Sequence, residues 1–207
     1  MSSSSSRSKL DLKPISDNKI RVLIDLDGVV RDFVGSLLRV YNRVHPKHKV
    51  QTVNSRRLED FFPIGPGIYK FMEPGLAEEI IENALPLPDA LEALKRWKNE
   101  YEIVIVTSQP ENIRALTYTW IGKHDLPTNE VHITFQKTTI AGAVLLDDFT
   151  DNLQEFTDSG RLAICLDQPW NQDWAGLRVK TVDEFFQLIQ KYQFSQEKNE
   201  NIKQQLT

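Results

Sequence analysis

The segment Arg21-Val22-Leu23-Ile24-Asp25-Leu26-Asp27-Gly28-Val29-Val30 constrains this chain more than any other. An apolar run stops at two carboxylates spaced i, i+2, and a glycine follows at once. Near-continuous apolar character reads as a strand buried on both faces, the mark of a parallel sheet covered by helices. Residues i and i+2 of an extended segment point to the same side, so Asp25 and Asp27 can both face the crevice beyond the strand end while Leu26 enters the core. Ligands of open α/β sheets bind in that crevice. Gly28 permits the sharp turn that follows. Two like charges so close need a cation, a shared proton or water to relieve their repulsion. An Asp-Gly turn with both carboxylates solvated is the plainer alternative.

The rest of the chain alternates strand and helix patterns, with further strands expected at 101–106, 131–135, 143–146, 162–166 and 177–180. Polar chemistry recurs at the strand ends: Thr107 and Ser108 after the second, Lys137 beyond the third, Asp147 and Asp148 after the fourth. A second acidic pair beside Asp25 and Asp27 is electrostatically awkward unless a divalent cation lies between them, and magnesium is the natural candidate. Asp151 and Asn152, one turn further on, can cap the next helix or hydrogen-bond the ligands. Asp89 with Glu92, Ser108 with Glu111 and Thr181 with Glu184 have capping-box spacing and predict three helix starts. A helix starting at Ser108 would offer free N–H groups to a phosphate.

Phe33, Leu37, Leu38 and Tyr41 recur at helical spacing, and Pro46 marks the end of that helix near His45. His45 and His48 flank the proline and read as a solvated turn rather than a metal pair. Residues 50–85 are irregular, rich in proline and glycine, and carry Phe61, Phe62, Tyr69 and Phe71. A plain crossover is far shorter than the distance to the second strand, so the excess reads as a small helical insert standing over the crevice. The expected organisation is a disordered tail at 1–18, a core made of 19–34 and 86–194, a helical insert at 35–85 and a polar C-terminal tail at 195–207 that is either a fraying helix or disordered.

A net charge of −4, with Lys and Arg scattered, does not indicate a nucleic-acid groove or a membrane patch. The single cysteine, Cys165, lies in an apolar run, so no internal disulfide forms and a reducing compartment is expected. No stretch approaches the roughly 20 apolar residues of a membrane span, and the N-terminal serine tract has no apolar stretch of the secretory kind. The expectation is a soluble, cytoplasmic protein.

In order, Asp25-Leu26-Asp27-Gly28-Val29, Val106-Thr107-Ser108, Lys137 and Leu146-Asp147-Asp148 resemble the four motifs of the haloacid dehalogenase superfamily of phosphotransferases, over residues 19–180. Within it the chain is most similar to the 5'(3')-deoxyribonucleotidases, through Asp32-Phe33, Glu73-Pro74-Gly75 ahead of Pro86-Leu87-Pro88, Gln136-Lys137-Thr138-Thr139, and Gly142. The resemblance implies an α/β, Rossmann-like three-layer parallel sheet with helices on both faces and a small helical cap inserted after the first strand. It implies a magnesium-dependent phosphomonoesterase acting on deoxyribonucleoside monophosphates through an aspartyl-phosphate. Asp25 would be the nucleophile and Asp27 the general acid and base; Thr107, Ser108 and Lys137 would hold the phosphate. Magnesium would sit on Asp25, the carbonyl of Asp27 and one or both of Asp147 and Asp148.

Phe33 would stack on the base, the alternative being a core residue between helix and insert. Two departures touch the base pocket. Leu76 or Ala77 stands where the nucleotidases carry an aromatic, and Arg31 where a small residue is common, so a one-sided clamp with modest base discrimination is expected. The partner implied is a small phosphomonoester rather than a nucleic-acid polymer or a membrane, and a homodimer is compatible with the chain. The rival readings are a phosphatase of another small metabolite, such as a sugar phosphate, and a catalytically idle nucleotide-binding protein.

Overall fold

The computed structural model describes residues 19–205 apart from Arg56 and Pro74, with side chains as far as Gln193. The tail expected at 1–18 lies outside the described residues. The order of elements is β1 (Ile20–Ile24), α1 (Phe33–Val44), α2 (Gly67–Phe71), α3 (Ala77–Glu82), α4 (Ala90–Trp97), β2 (Tyr101–Thr107), α5 (Arg114–Lys123), β3 (Glu130–Ile133), β4 (Val144–Asp147), α6 (Thr150–Asp158), β5 (Leu162–Leu166), β6 (Leu177–Val179) and α7 (Val182–Gln205). The six strands form one parallel sheet in the order β3-β2-β1-β4-β5-β6. The chain leaves β1 toward one edge through β2 and β3, then returns to β4 on the other side. The strand order therefore reverses between β1 and β4, and a crevice opens at their carboxyl ends.

Period-two alternation assigns each strand residue to a face. Val22, Ile24, Ile103, Ile105, Val144, Leu146 and Ile164 pack with Leu94 and Trp97 of α4 and Phe185 and Phe186 of α7. Leu23, Val104, Val106, Leu145, Ala163 and Cys165 pack on the other face with Leu153 and Phe156 of α6. Both faces are covered, which is why the strands read as unbroken apolar runs.

A third cluster is separate from the sheet. It joins Leu37, Val40 and Tyr41 of α1, Val50, Val53 and Phe62, Ile68 of α2, and Ile80 and Ile81 of α3, with Ile113 and Leu116 packed against it. Asp32 starts α1, its side chain accepting from the Gly35 N–H at 2.9 Å. The two ends of this insert are drawn together: the Asp32 N–H donates to Leu85 O and the Leu87 N–H to Val30 O, both at 2.8 Å.

Only one of the three expected capping boxes forms. At Thr181 the Glu184 N–H donates to Thr181 Oγ1 at 3.1 Å, and Glu184 Oε2 accepts from the Lys180 N–H. Asp89 precedes α4 in a left-handed conformation, φ 62°, and makes no side-chain cap bond. At Ser108 the expected helix is absent because Pro110 disfavours helical geometry at Gln109 and has no N–H of its own. Ser108 Oγ instead donates to Thr134 O at 3.1 Å, and α5 starts only at Arg114 after a short 3₁₀ turn. The third strand stops at Ile133, so Phe135 falls outside it, and the fourth runs on to include Asp147. Helix α7 runs to Gln205, the helical one of the two alternatives for the polar C-terminal stretch. Among the described residues no helix is long and apolar enough to cross a membrane.

Candidate active site

Strands β1 and β4 pair with Ile24 opposite Leu146, and the Asp25 N–H donates to Leu146 O at 2.9 Å. That register sets Asp25 beside Asp147 at the point where the strand order reverses. One carboxylate oxygen each from Asp25, Asp147 and Asp148 lie within 4.8 Å of one another, and all three residues are buried. Lys137, 3% exposed, brings its ammonium into the cluster from the turn after β3. Its Nζ donates to Asp147 Oδ2 at 2.7 Å and pairs with Asp25 Oδ1 at 2.7 Å, the second contact lying off the direction of a hydrogen bond. Asp147 is fixed further by the Phe149 N–H on Oδ1 and by Asn152 Nδ2 on Oδ2, at 2.8 and 3.0 Å. Trp170 Nε1 donates to Asp148 Oδ2 at 2.8 Å. Gly28 is required twice over: its φ is +76°, and a Cβ there would lie 2.1 Å from Asp148 Oδ2.

Three carboxylates face one ammonium, so full ionisation leaves two negative charges uncompensated in a buried site. The carboxyl groups respond by holding protons. Burial pushes Asp25 up to about 7, with Asp147 and Asp27 adding to the shift and Lys137 opposing it. Burial likewise raises Asp148 well above the ordinary carboxylate range, helped by Asp25 and Asp147. For Lys137 burial alone would lower the pKa, but the charges of Asp147 and Asp25 outweigh it and raise it. An all-oxygen, strained donor set of this kind fits a hard divalent cation.

Asp27 behaves differently from Asp25. Its carboxylate lies outside the three-oxygen cluster and is gripped by Arg31, Nε on Oδ1 at 2.7 Å and Nη2 on Oδ2 at 2.9 Å. Gln109 Nε2 also donates to Oδ2. The turn at Gly28 folds the chain back, with the Gly28 N–H donating to Arg31 O at 2.9 Å, and so brings Arg31 over Asp27.

A cavity of about 380 Å³ opens above these groups. Asp25, Asp27, Thr107, Ser108, Lys137, Asp148 and Phe33 all line it. Asp147, fully buried, is not among its lining residues and touches it through Lys137. Phe33 both borders the cavity and packs on the insert's cluster. Phe33 is not the cavity's only aromatic: Phe135, Phe149 and Trp170, from the loops after β3, β4 and β5, line it as well. Neither Leu76 nor Ala77 lines this cavity: Leu76 packs against the insert's cluster and Ala77 is buried at the start of α3. Asn152 was legible from its place one turn after the acidic pair. Gln109 and the loop aromatics carry no periodic signal, and Arg31 registers in the sequence only as a departure from the family pattern.

The fold is that of the haloacid dehalogenase-type hydrolases. A hydrolase of that family from Deinococcus radiodurans, solved with bound phosphate and sodium, superimposes with a TM-score of 0.59 at 16% identity, over 84% of this chain and 96% of that one. The family is narrower. A model described as 5' nucleotidase, deoxy (pyrimidine), cytosolic type C protein matches residues 18–194, and the chain belongs to that family. The mitochondrial 5'(3')-deoxyribonucleotidase of Mus musculus is 31% identical over 152 residues, 66% of this chain and 67% of the relative. The human cytosolic-type enzyme is 28% identical over 145 residues, 62% and 70% of the two chains.

Proposed function

We propose that this chain is a magnesium-dependent phosphomonoesterase that hydrolyses deoxyribonucleoside monophosphates, with Asp25 as its nucleophile. The observation that carries the reading is the buried group of Asp25, Asp147, Asp148 and Lys137 at one end of a cavity whose other lining is largely aromatic and aliphatic. An oxygen-ligand cation site beside a nucleophile suits a phosphate, and the aromatic wall suits a base better than a sugar.

Asp25 attacks phosphorus in line while the bond to the nucleoside oxygen breaks, leaving an aspartyl-phosphate. Asp27 gives a proton to that oxygen and later takes one from the water that attacks the phosphoaspartate. Lys137 has three N–H donors, one of them given to Asp147 while its charge also pairs with Asp25, and turns another to a phosphate oxygen. Thr107 and Ser108 hold the other equatorial oxygens, where transition-state charge resides. Asp25, Asp148 or Asp147 and, as the family resemblance implies, the carbonyl of Asp27 would hold magnesium, which would supply the charge neutralisation that lets an anion approach an anion. The insert serves as the cap that closes the substrate's side of the cavity. A reducing location fits the lone buried Cys165, and the cytoplasm is the compartment we assign.

A panel of monophosphates with magnesium or EDTA tests the reading. Deoxyribonucleotides should be turned over best, and only with metal. Preference for a sugar phosphate would move the assignment to another metabolite, and no turnover of any ester would leave a binding protein.

A further inference from the structure

Arg31 is a fully buried charge for which the reaction above has no task. Its surroundings come from three parts of the chain: Asp27 on the turn after β1, Thr117 and Trp120 on α5, and Pro86, which its backbone meets where the insert returns. Nε and Nη2 hold the two oxygens of Asp27 in a fork, which fixes the plane of the carboxylate as well as its distance. Gln109, buried as well, adds a donor to Oδ2. A carboxylate has about four acceptor sites on its two oxygens. Arg31 and Gln109 fill both sites on Oδ2 and one on Oδ1, so the open site belongs to Oδ1 of a residue that lines the cavity.

We propose that Arg31 is the positioning residue for proton transfer by Asp27, clamping the carboxylate so that Oδ1 alone exchanges the proton. The inference rests on the reading of Asp27 as general acid and base. As the P–O bond breaks, its electron pair goes to the leaving oxygen, which takes the proton from Asp27 Oδ1. Asp27 remains as a carboxylate paired with Arg31, and the same oxygen accepts the proton of the attacking water. Arg31 itself neither gives nor takes a proton. A lysine keeps the charge but has no fork, and cannot fix the plane.

The test uses the full chain with magnesium and two esters: a deoxyribonucleoside 5'-monophosphate, whose alcohol leaves only with a proton, and 4-nitrophenyl phosphate, whose phenolate leaves without one. In Arg31→Lys, kcat/KM for the nucleotide should fall at least about tenfold and for the aryl ester no more than about threefold. On an Asp27→Asn background the same change should cost the nucleotide nothing further, because the two residues serve one step. Equal loss on both esters, or additive losses in the double variant, overturns the proposal and leaves Arg31 a structural residue. Should Arg31→Lys fail to fold by circular dichroism, Gln109→Met removes one of the three bonds and spares the buried ion pair. It should give a smaller split of the same sign, and the absence of any split overturns the proposal too. If the wild-type protein hydrolyses neither ester, the reading of Asp27 falls first and takes this inference with it.

Discussion

The sheet end of the cavity and its insert side are built from opposite materials. At the sheet end, carboxylates at the ends of β1 and β4 are tied to four donors: Lys137, the backbone at Phe149, Asn152 on α6, and Trp170 on the loop after β5. From the start of α1 and the insert it leads into, Phe33, Val34, Val53, Ser55 and Leu58 border the same space, four of the five apolar. Polar geometry of the first kind tolerates little change, because a displaced buried charge is left uncompensated. An apolar wall only has to fill space, and it can exchange one side chain for another at modest cost. The contrast suits a division in which the strand ends carry the proposed chemistry and the apolar lining, from the insert and from the loops of Phe135, Phe149 and Trp170, meets the rest of the substrate.

The sharpest way to break this division is Asp25→Asn, which should lower kcat on every ester by on the order of 10⁴ while the melting temperature in EDTA stays level or rises. Activity above a small percentage of wild type, measured with 4-nitrophenyl phosphate, would remove Asp25 as nucleophile. Asp148→Asn comes next. The magnesium concentration that half-saturates the thermal shift should rise by at least about tenfold, and an unchanged midpoint would place the cation elsewhere.

Phe33→Ala probes the other side. Loss of one base-stacking ring is worth roughly 1 to 3 kcal/mol, so KM for deoxyribonucleotides should rise about tenfold to a hundredfold with little change for a baseless ester. Uniform loss on both substrates, with a fall in stability of about 3 to 5 kcal/mol, would assign Phe33 to packing alone.

The smallest effect is thermal. Asp25 and Asp148 bind protons more tightly folded than unfolded, so the metal-free protein loses stability as pH rises from the ordinary carboxylate value through about 7, the value of Asp25. In EDTA the melting temperature should fall by about 5 °C between pH 5 and pH 8, and magnesium should cancel the fall. A pH-independent difference between the two conditions would mean that these carboxylates do not carry the metal.

Much of the sheet side was legible in the sequence. The alternating apolar runs placed five strands close to their observed bounds, and Asp25, Thr107, Ser108, Lys137 and Asp148 were marked by lying at strand ends, where a parallel sheet gathers them. What escaped depended on contacts between distant segments. Ser108 fits a capping box in every local respect, yet Pro110 denies it the helix and leaves Gln109 turned toward Asp27. Phe135 and Phe149 lie in loops without periodicity, and their convergence on one cavity exists only once β3 and β4 are in the sheet.

The joint at the base of the insert has a consequence for how such a molecule can change. Because Asp32 is bonded to Leu85 and Val30 to Leu87, the sheet meets the insert as a single pinned neck rather than as two loose strands of chain. For a loop whose mouth is already closed, doubling its length costs only about 0.6 kcal/mol. What lies beyond the neck can therefore be lengthened, shortened or rewritten at little cost to the sheet and to the strand ends it positions.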